Sequence, residues 1–87
     1  MRVIALYDPK SEQARALEEL NRELARRGSS MVELLSTETI DGSEMTQIYD
    51  VMQYPTLLAL DSRGQLQFMS SDGTIPLIND VSYYLNQ

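Results

Sequence analysis

The stretch from Val3 to Leu35 constrains this chain most, because two short apolar runs flank one amphipathic helical pattern. Val3 to Tyr7 carries no polar residue and ends at Asp8-Pro9, a turn signal, so it reads as a strand covered on both faces. Ser11 to Arg27 reads as a helix with Ala14, Leu17, Leu20 and Leu24 on one stripe. Ser11 is placed to cap its start, Glu18/Arg22 and Glu23/Arg27 are i,i+4 pairs in the favourable order, and Gly28 suits its end. Met31 to Leu35, broken only by Glu33, reads as a second strand. A strand, a crossover helix and a second strand in one sheet pair in parallel with right-handed chirality.

Beyond this unit the pattern changes. Glu38 to Gly42 reads as polar loop, and Ser43 caps a short helix from Glu44 to about Met52, with Met45, Ile48, Tyr49 and Met52 at helical spacing. Pro55 stops it, since the residue before a proline disfavours the α region. Thr56 to Leu60 is a third strand, Asp61-Ser62-Arg63-Gly64 a hairpin turn, and Gln65 to Met69 a fourth strand with Leu66 and Phe68 on one face, as suits a sheet edge. Ser70 to Thr74 is loop, with Thr74 available to cap the last helix. Pro76 opens that helix, which runs to about Leu85 with Leu77, Val81 and Leu85 on its stripe.

Composition removes whole classes of chemistry. Cysteine and histidine are both absent, which excludes disulfide frameworks, thiol catalysis, ordinary zinc sites and every Ser-His or Cys-His mechanism. The net charge is −6 and lies unevenly. Through Gly28, six basic residues face five acidic ones; from Ser29 onward Arg63 stands alone against eight acids. Such an acidic body repels a phosphate backbone, so no nucleic-acid partner is expected. No apolar run approaches the ~18 residues of a bilayer span, and the first apolar run is too short for a signal peptide, so no membrane association and a cytoplasmic location are expected. Asp41-Gly42-Ser43-Glu44 lacks the spaced carboxylates of a calcium loop, and the five methionines read mostly as core gap-fillers. No metal or cofactor is expected.

The element order, with Tyr49-Asp50-Val51-Met52-Gln53-Tyr54-Pro55-Thr56 leading into Leu57-Leu58-Ala59-Leu60 and the turn at Gly64, resembles the thioredoxin fold. That resemblance implies a cis bond before Pro55, and a backbone at Tyr54 that pairs with an extended peptide or with glutathione by main-chain hydrogen bonds. It also places the family's Cys-x-x-Cys motif on Asp8-Pro9-Lys10-Ser11, where neither end is cysteine. Asp8 and Ser11 cannot form a mixed disulfide, so dithiol oxidoreductase activity is excluded.

Three segments are site candidates. Asp8, Lys10 and Ser11 form a helix-entry loop able to face an anion; the plain alternative is a turn and cap. Tyr7, Tyr54, Pro55 and Thr56 flank the position where the family docks substrates, and the tyrosines make an aromatic pair for peptide docking unless they simply pack on the sheet. Ser70 and Ser71 with Asp72 and Gly73 lie where glutathione-binding relatives hold the tripeptide's charged ends, and Tyr7 lies near the hydroxyl that activates glutathione in some transferases. The bland reading is a polar loop ahead of the last helix.

The expectation is therefore one α/β domain over residues 1–87, thioredoxin-like, β-α-β-α-β-β-α, with a four-stranded mixed sheet of order 2-1-3-4 and three helices. Its core should hold Val3, Ala5, Leu6, Leu17, Leu20, Leu24, Val32, Leu34, Ile48, Leu57, Leu58, Leu60, Phe68 and Leu85. Its expected role is redox-inactive binding of a protein or extended peptide, with glutathione or another small thiol compound as one alternative and self-association through the Gln65–Met69 edge as another.

Overall fold

A computed structural model describes every residue, Met1–Gln87. Val3 to Leu6 are buried on both faces of the first strand, β1 (Arg2–Tyr7), which places it inside the sheet. β3 (Thr56–Leu60) is buried along its whole length and pairs antiparallel with β1, Leu6 opposite Thr56 and Arg2 opposite Leu60. β2 (Glu33–Ser36) adds in parallel on the free side of β1, with Tyr7 opposite Ser36. β4 (Leu66–Ser70) adds antiparallel to β3, and a bulge at Ala59/Leu60 shifts its register. The result is a mixed four-stranded sheet of order β2-β1-β3-β4 with three helices, the expected layout.

Helix α1 (Gln13–Arg26) and helix α3 (Ile78–Leu85) cover one face together. There Leu17, Leu24, Val81 and Leu85 meet Val3, Ala5, Leu57 and Ala59. Phe68 of β4 stacks on Tyr84 with ring centroids 4.6 Å apart, pinning α3 to the sheet edge. The opposite face carries one short helix, α2 (Ile40–Ile48), and the segment after it. Leu6, Leu58 and Val51 form a small core there, with Leu35, Met45, Tyr49, Tyr54 and Met69 against it.

Several expected boundaries and roles move. α2 begins four residues before Glu44 and ends at Ile48, because Thr39 rather than Ser43 is its cap. Thr39 Oγ1 accepts from the Gly42 amide at 3.0 Å and donates to the Ser36 carbonyl at 2.7 Å, so the cap also ties the helix to β2. Gly42 is buried against the Ser36 carbonyl with no room for a Cβ, so the residue expected in a loop is the contact that lets α2 approach the sheet. Ile48 is 71% exposed instead of core, because α2 faces the sheet through Gly42 and Met45, with Tyr49 after them, and Ile48 falls at the edge of that face. Met31 and Met52 are exposed rather than gap-filling. Leu20, Leu34 and Phe68 are only partly buried against the larger core, whereas Ile4, Val51, Ala59 and Val81 are buried throughout. β2 starts at Glu33 and not Met31. α3 starts at Ile78 behind Leu77, without a side-chain cap, and Leu77 is exposed rather than on the buried stripe.

Replacing Thr39 by Ala should cost about 1 kcal/mol in urea unfolding. Ser43→Ala should stay within ~0.5 kcal/mol, as for a surface change away from any cap. Gly42→Ala should cost about 1–3 kcal/mol, because a methyl there must push α2 off β2.

Candidate functional site

The strand register gathers the candidate segments at one end of the sheet. β1 leaves through Tyr7 and Asp8, β3 enters through Tyr54 and Pro55, and β4 leaves after Ser70, which pairs with Leu57. The Tyr54–Pro55 peptide is cis. Pro55 and Thr56 are buried, and Thr56 Oγ1 donates to the Gln53 carbonyl at 2.7 Å, closing the turn that feeds β3. The backbone amide and carbonyl of Tyr54 take no part in the hydrogen bonds within the chain. Gly73, at φ +80°, packs against Gln53 and the Tyr54 carbonyl. A Cβ at Gly73 would lie 2.9 Å from the Gln53 side-chain oxygen, and the backbone angle itself favours glycine.

Two glutamines that sequence reasoning passed over complete this end. Gln13 Nε2 donates to the Gly73 carbonyl at 3.3 Å, tying the first turn of α1 to the loop after β4. Its Oε1 is buried without a hydrogen-bond partner. Gln53 supplies the side chain that Gly73 packs on. Neither carries a motif, since their positions matter only once three loops converge.

The helix-entry loop is built differently from expectation. Ser11 is not the cap of α1; its hydroxyl donates to the Asp8 carbonyl at 2.9 Å, and Glu12 occupies the cap position with no side-chain bond. Asp8 Oδ1 accepts from the Lys10 amide at 2.9 Å, so an Asp-led turn sets the entry angle. Lys10 is exposed and its Nζ lies 3.7 Å from Glu38 Oε1. Thr74 does not cap α3 either: its amide and hydroxyl both donate to Asp72 Oδ1, at 3.1 and 2.6 Å. Chiefly through that hydroxyl, and then the amide, the Asp72 carboxyl is held below its ordinary value.

The two tyrosines do not form a pair. Tyr7 packs with the core under α1 and α3, and Tyr54 with the small core under α2, where its hydroxyl lies 3.5 Å from Thr46 Oγ1. Their rings lie on opposite faces of the sheet, so what the sheet end presents is backbone more than aromatic surface. No cleft gathers these residues; one touches Ser11 along the outer side of α1. No group of three or more His, Cys, Asp or Glu converges to hold a metal, and no helix is long and apolar enough to cross a membrane. Comparison of the chain with protein-family models, with curated proteins and with solved structures finds no match.

The Asp72–Thr74 turn has a pH signature. A carboxyl lowered in the folded state contributes stability that is present above its ordinary pKa of 3.8 and lost as pH falls through the folded value. Thr74→Val keeps the amide donor and removes the hydroxyl. It should shift the Asp72 carboxyl titration, followed by carbon NMR, upward toward the ordinary value while the other carboxyls stay in place.

Proposed function

We propose that this chain is a thioredoxin-like domain without redox chemistry, and that it binds an extended polypeptide at the sheet end beside Pro55. The observation that carries the reading is the free backbone of Tyr54, held beside a buried proline where three loops converge. An unpaired N–H and C=O two residues ahead of β3 offer the pattern that a partner strand completes. Gly73 approaches that backbone through a turn whose positive φ suits glycine, and Gln13 adds a buried acceptor in the same knot. The absence of cysteine removes dithiol exchange and leaves binding as the chemistry available here. Specificity would come from the exposed rim, where Lys10 and Asp72 place opposite charges on the flanking loops.

Linear peptides selected by phage display against the labelled protein test this. The expected outcome is saturable amide shifts at Lys10, Tyr54 and Gly73, with slowed hydrogen exchange at the Tyr54 amide. N-methylation of the peptide residue that pairs with Tyr54 should weaken binding roughly 2- to 12-fold, the worth of one backbone hydrogen bond. Selected peptides that leave Tyr54 and Gly73 unmoved would overturn the reading. Saturable shifts at the same residues with glutathione, and none with peptides, would assign the sheet end to a small thiol compound instead.

A further inference from the structure

A cleft of about 340 Å³ opens on the α2 face, away from Pro55, between α2 and the Arg2 end of β1 and β2. It exists because a nine-residue helix spans only part of a four-stranded sheet face. Ile4 and Leu35 form its floor, and Met45 and Ile48 of α2 form its apolar wall. The volume is at the small end of ligand sites, about 300–1,000 Å³, and admits one or two aliphatic side chains.

Its rim is acidic. Arg2 donates to Glu33 through Nε at 2.9 Å and Nη2 at 3.0 Å, a bidentate pair that occupies the one cation at the mouth. Asp41 and Glu44 also line the cleft, and neither has a cationic partner within the chain. Asp41 has a structural use in the first turn of α2, beside the positive helix end; Glu44, a turn further on, has less of one.

The outer stripe of α2 extends the same surface. Ile40, Glu44 and Ile48 are spaced four apart, and Ile40 and Ile48 are 77% and 71% exposed. Met52, just beyond the helix, is 81% exposed. Along the stripe a carboxylate stands between two bare isoleucines, and of the three Glu44 and Ile48 also border the cleft, so the exposed stripe and the cleft are one continuous surface.

We infer that the cleft between α2 and β2 docks a cationic amphipathic peptide segment, with an apolar side chain on Ile4, Leu35, Met45 and Ile48 and a Lys or Arg paired with Asp41 and Glu44. Charge complementarity selects this occupant, since an acidic rim repels phosphates and anionic surfaces and attracts basic chains. A second copy supplies the match poorly. Its Arg2, Lys10, Arg26 and Arg27 are already paired with carboxylates, and its free Arg15 and Arg22 lie on α1, which exposes no large apolar side chain. Only Arg63, in the turn ahead of the exposed Leu66, is a free cation near an apolar side chain, and light scattering tests that occupant. This site lies apart from Pro55, and its success or failure leaves the Tyr54 reading where it stands.

The test uses the full chain, a fluorescein-labelled Leu/Lys amphipathic helical peptide, and the Leu/Glu peptide of the same pattern. Anisotropy should show saturable binding of the Leu/Lys peptide and about tenfold or more weaker binding of the Leu/Glu peptide, with affinity falling as salt rises. Glu44→Lys and Ile48→Gln change exposed side chains and should each weaken binding about tenfold while circular dichroism stays unchanged. Amide shifts should centre on Leu35, Met45 and Ile48, with Tyr54 and Gly73 still. Equal binding of the two peptides, or full affinity in Ile48→Gln, would overturn the proposal. So would a concentration-dependent rise in mass by light scattering that Ile48→Gln abolishes, because it would put a second copy in the cleft.

Discussion

The pairing of β1 with β3 is the constraint on which the rest of this structure depends. Both strands are buried on both faces, so the sheet needs cover above and below. The antiparallel register, Leu6 opposite Thr56, fixes which ends of the two strands coincide. Everything at the Pro55 end depends on it: the exit of β1 into Asp8, the entry of β3 from Tyr54, and, through Ser70 opposite Leu57, the approach of Gly73. A slip of one residue would turn every side chain of β3 to the opposite face and would separate Gly73 from Tyr54.

Cover is unequal on the two faces, and the inequality has a sequence origin. α1 is long and carries leucines at Leu17 and Leu24 that reach zero exposure; α3 adds Val81 and Leu85 beside them. The other face receives nine residues of helix whose closest approach rests on Gly42 and not on large side chains. A helix seated through glycine sits close at its first turn, while its later residues, Ile48 above all, are left at the rim. The tight seat at the N-terminus of α2 and the open cleft toward Arg2 and Glu33 are thus two results of one short connection.

The first βαβ unit, the hairpin at Gly64 and the amphipathic α1 are legible because each rests on a period or turn signal that local physics dictates; the placing of β3 beside β1 is not, and is implied only by the thioredoxin resemblance. Ten of the fourteen residues expected in the core are buried, and the misses are instructive. Ile48 reads as core from its helical spacing with Met45, but α2 seats through Gly42 and Met45 and leaves Ile48 at the edge of the covered face. The helix start, read at Ser43, is a second miss. Thr39 competes for that start and prevails because its hydroxyl bonds both Gly42 and the β2 carbonyl, a tertiary contact that no window of sequence displays. Ser11 loses its cap role to an Asp8 turn for a related reason: Asp-Pro-Lys closes on itself before the helix begins. The candidate sheet end is legible as three segments. The separation of Tyr7 and Tyr54 is not, because it depends on which face each ring takes after the chain leaves the strand.

Charge placement obeys the same division of faces. The basic residues lie mostly before Gly28, and those of α1's last turn are held there by Glu23, with Arg26 at 2.9 Å and Arg27 at 3.4 Å. Exposed pairs of this kind contribute little, about 0.2–1 kcal/mol each, so they balance α1 more than they stabilise it. α2 has no basic residue at all, and the only cation at its cleft, Arg2, is supplied by β1 and taken up by Glu33. That ion pair holds the Arg2 guanidinium above and the Glu33 carboxyl below their ordinary values, each through the hydrogen bond to the other. It is present above the ordinary carboxylate value of 4.5 and is lost as pH falls through the lowered one. Through neutral pH, therefore, Arg2 stays committed, and the field at the mouth of the cleft is set by Asp41 and Glu44. An acidic helix over an apolar floor is a surface whose electrostatics improve only when something basic covers it.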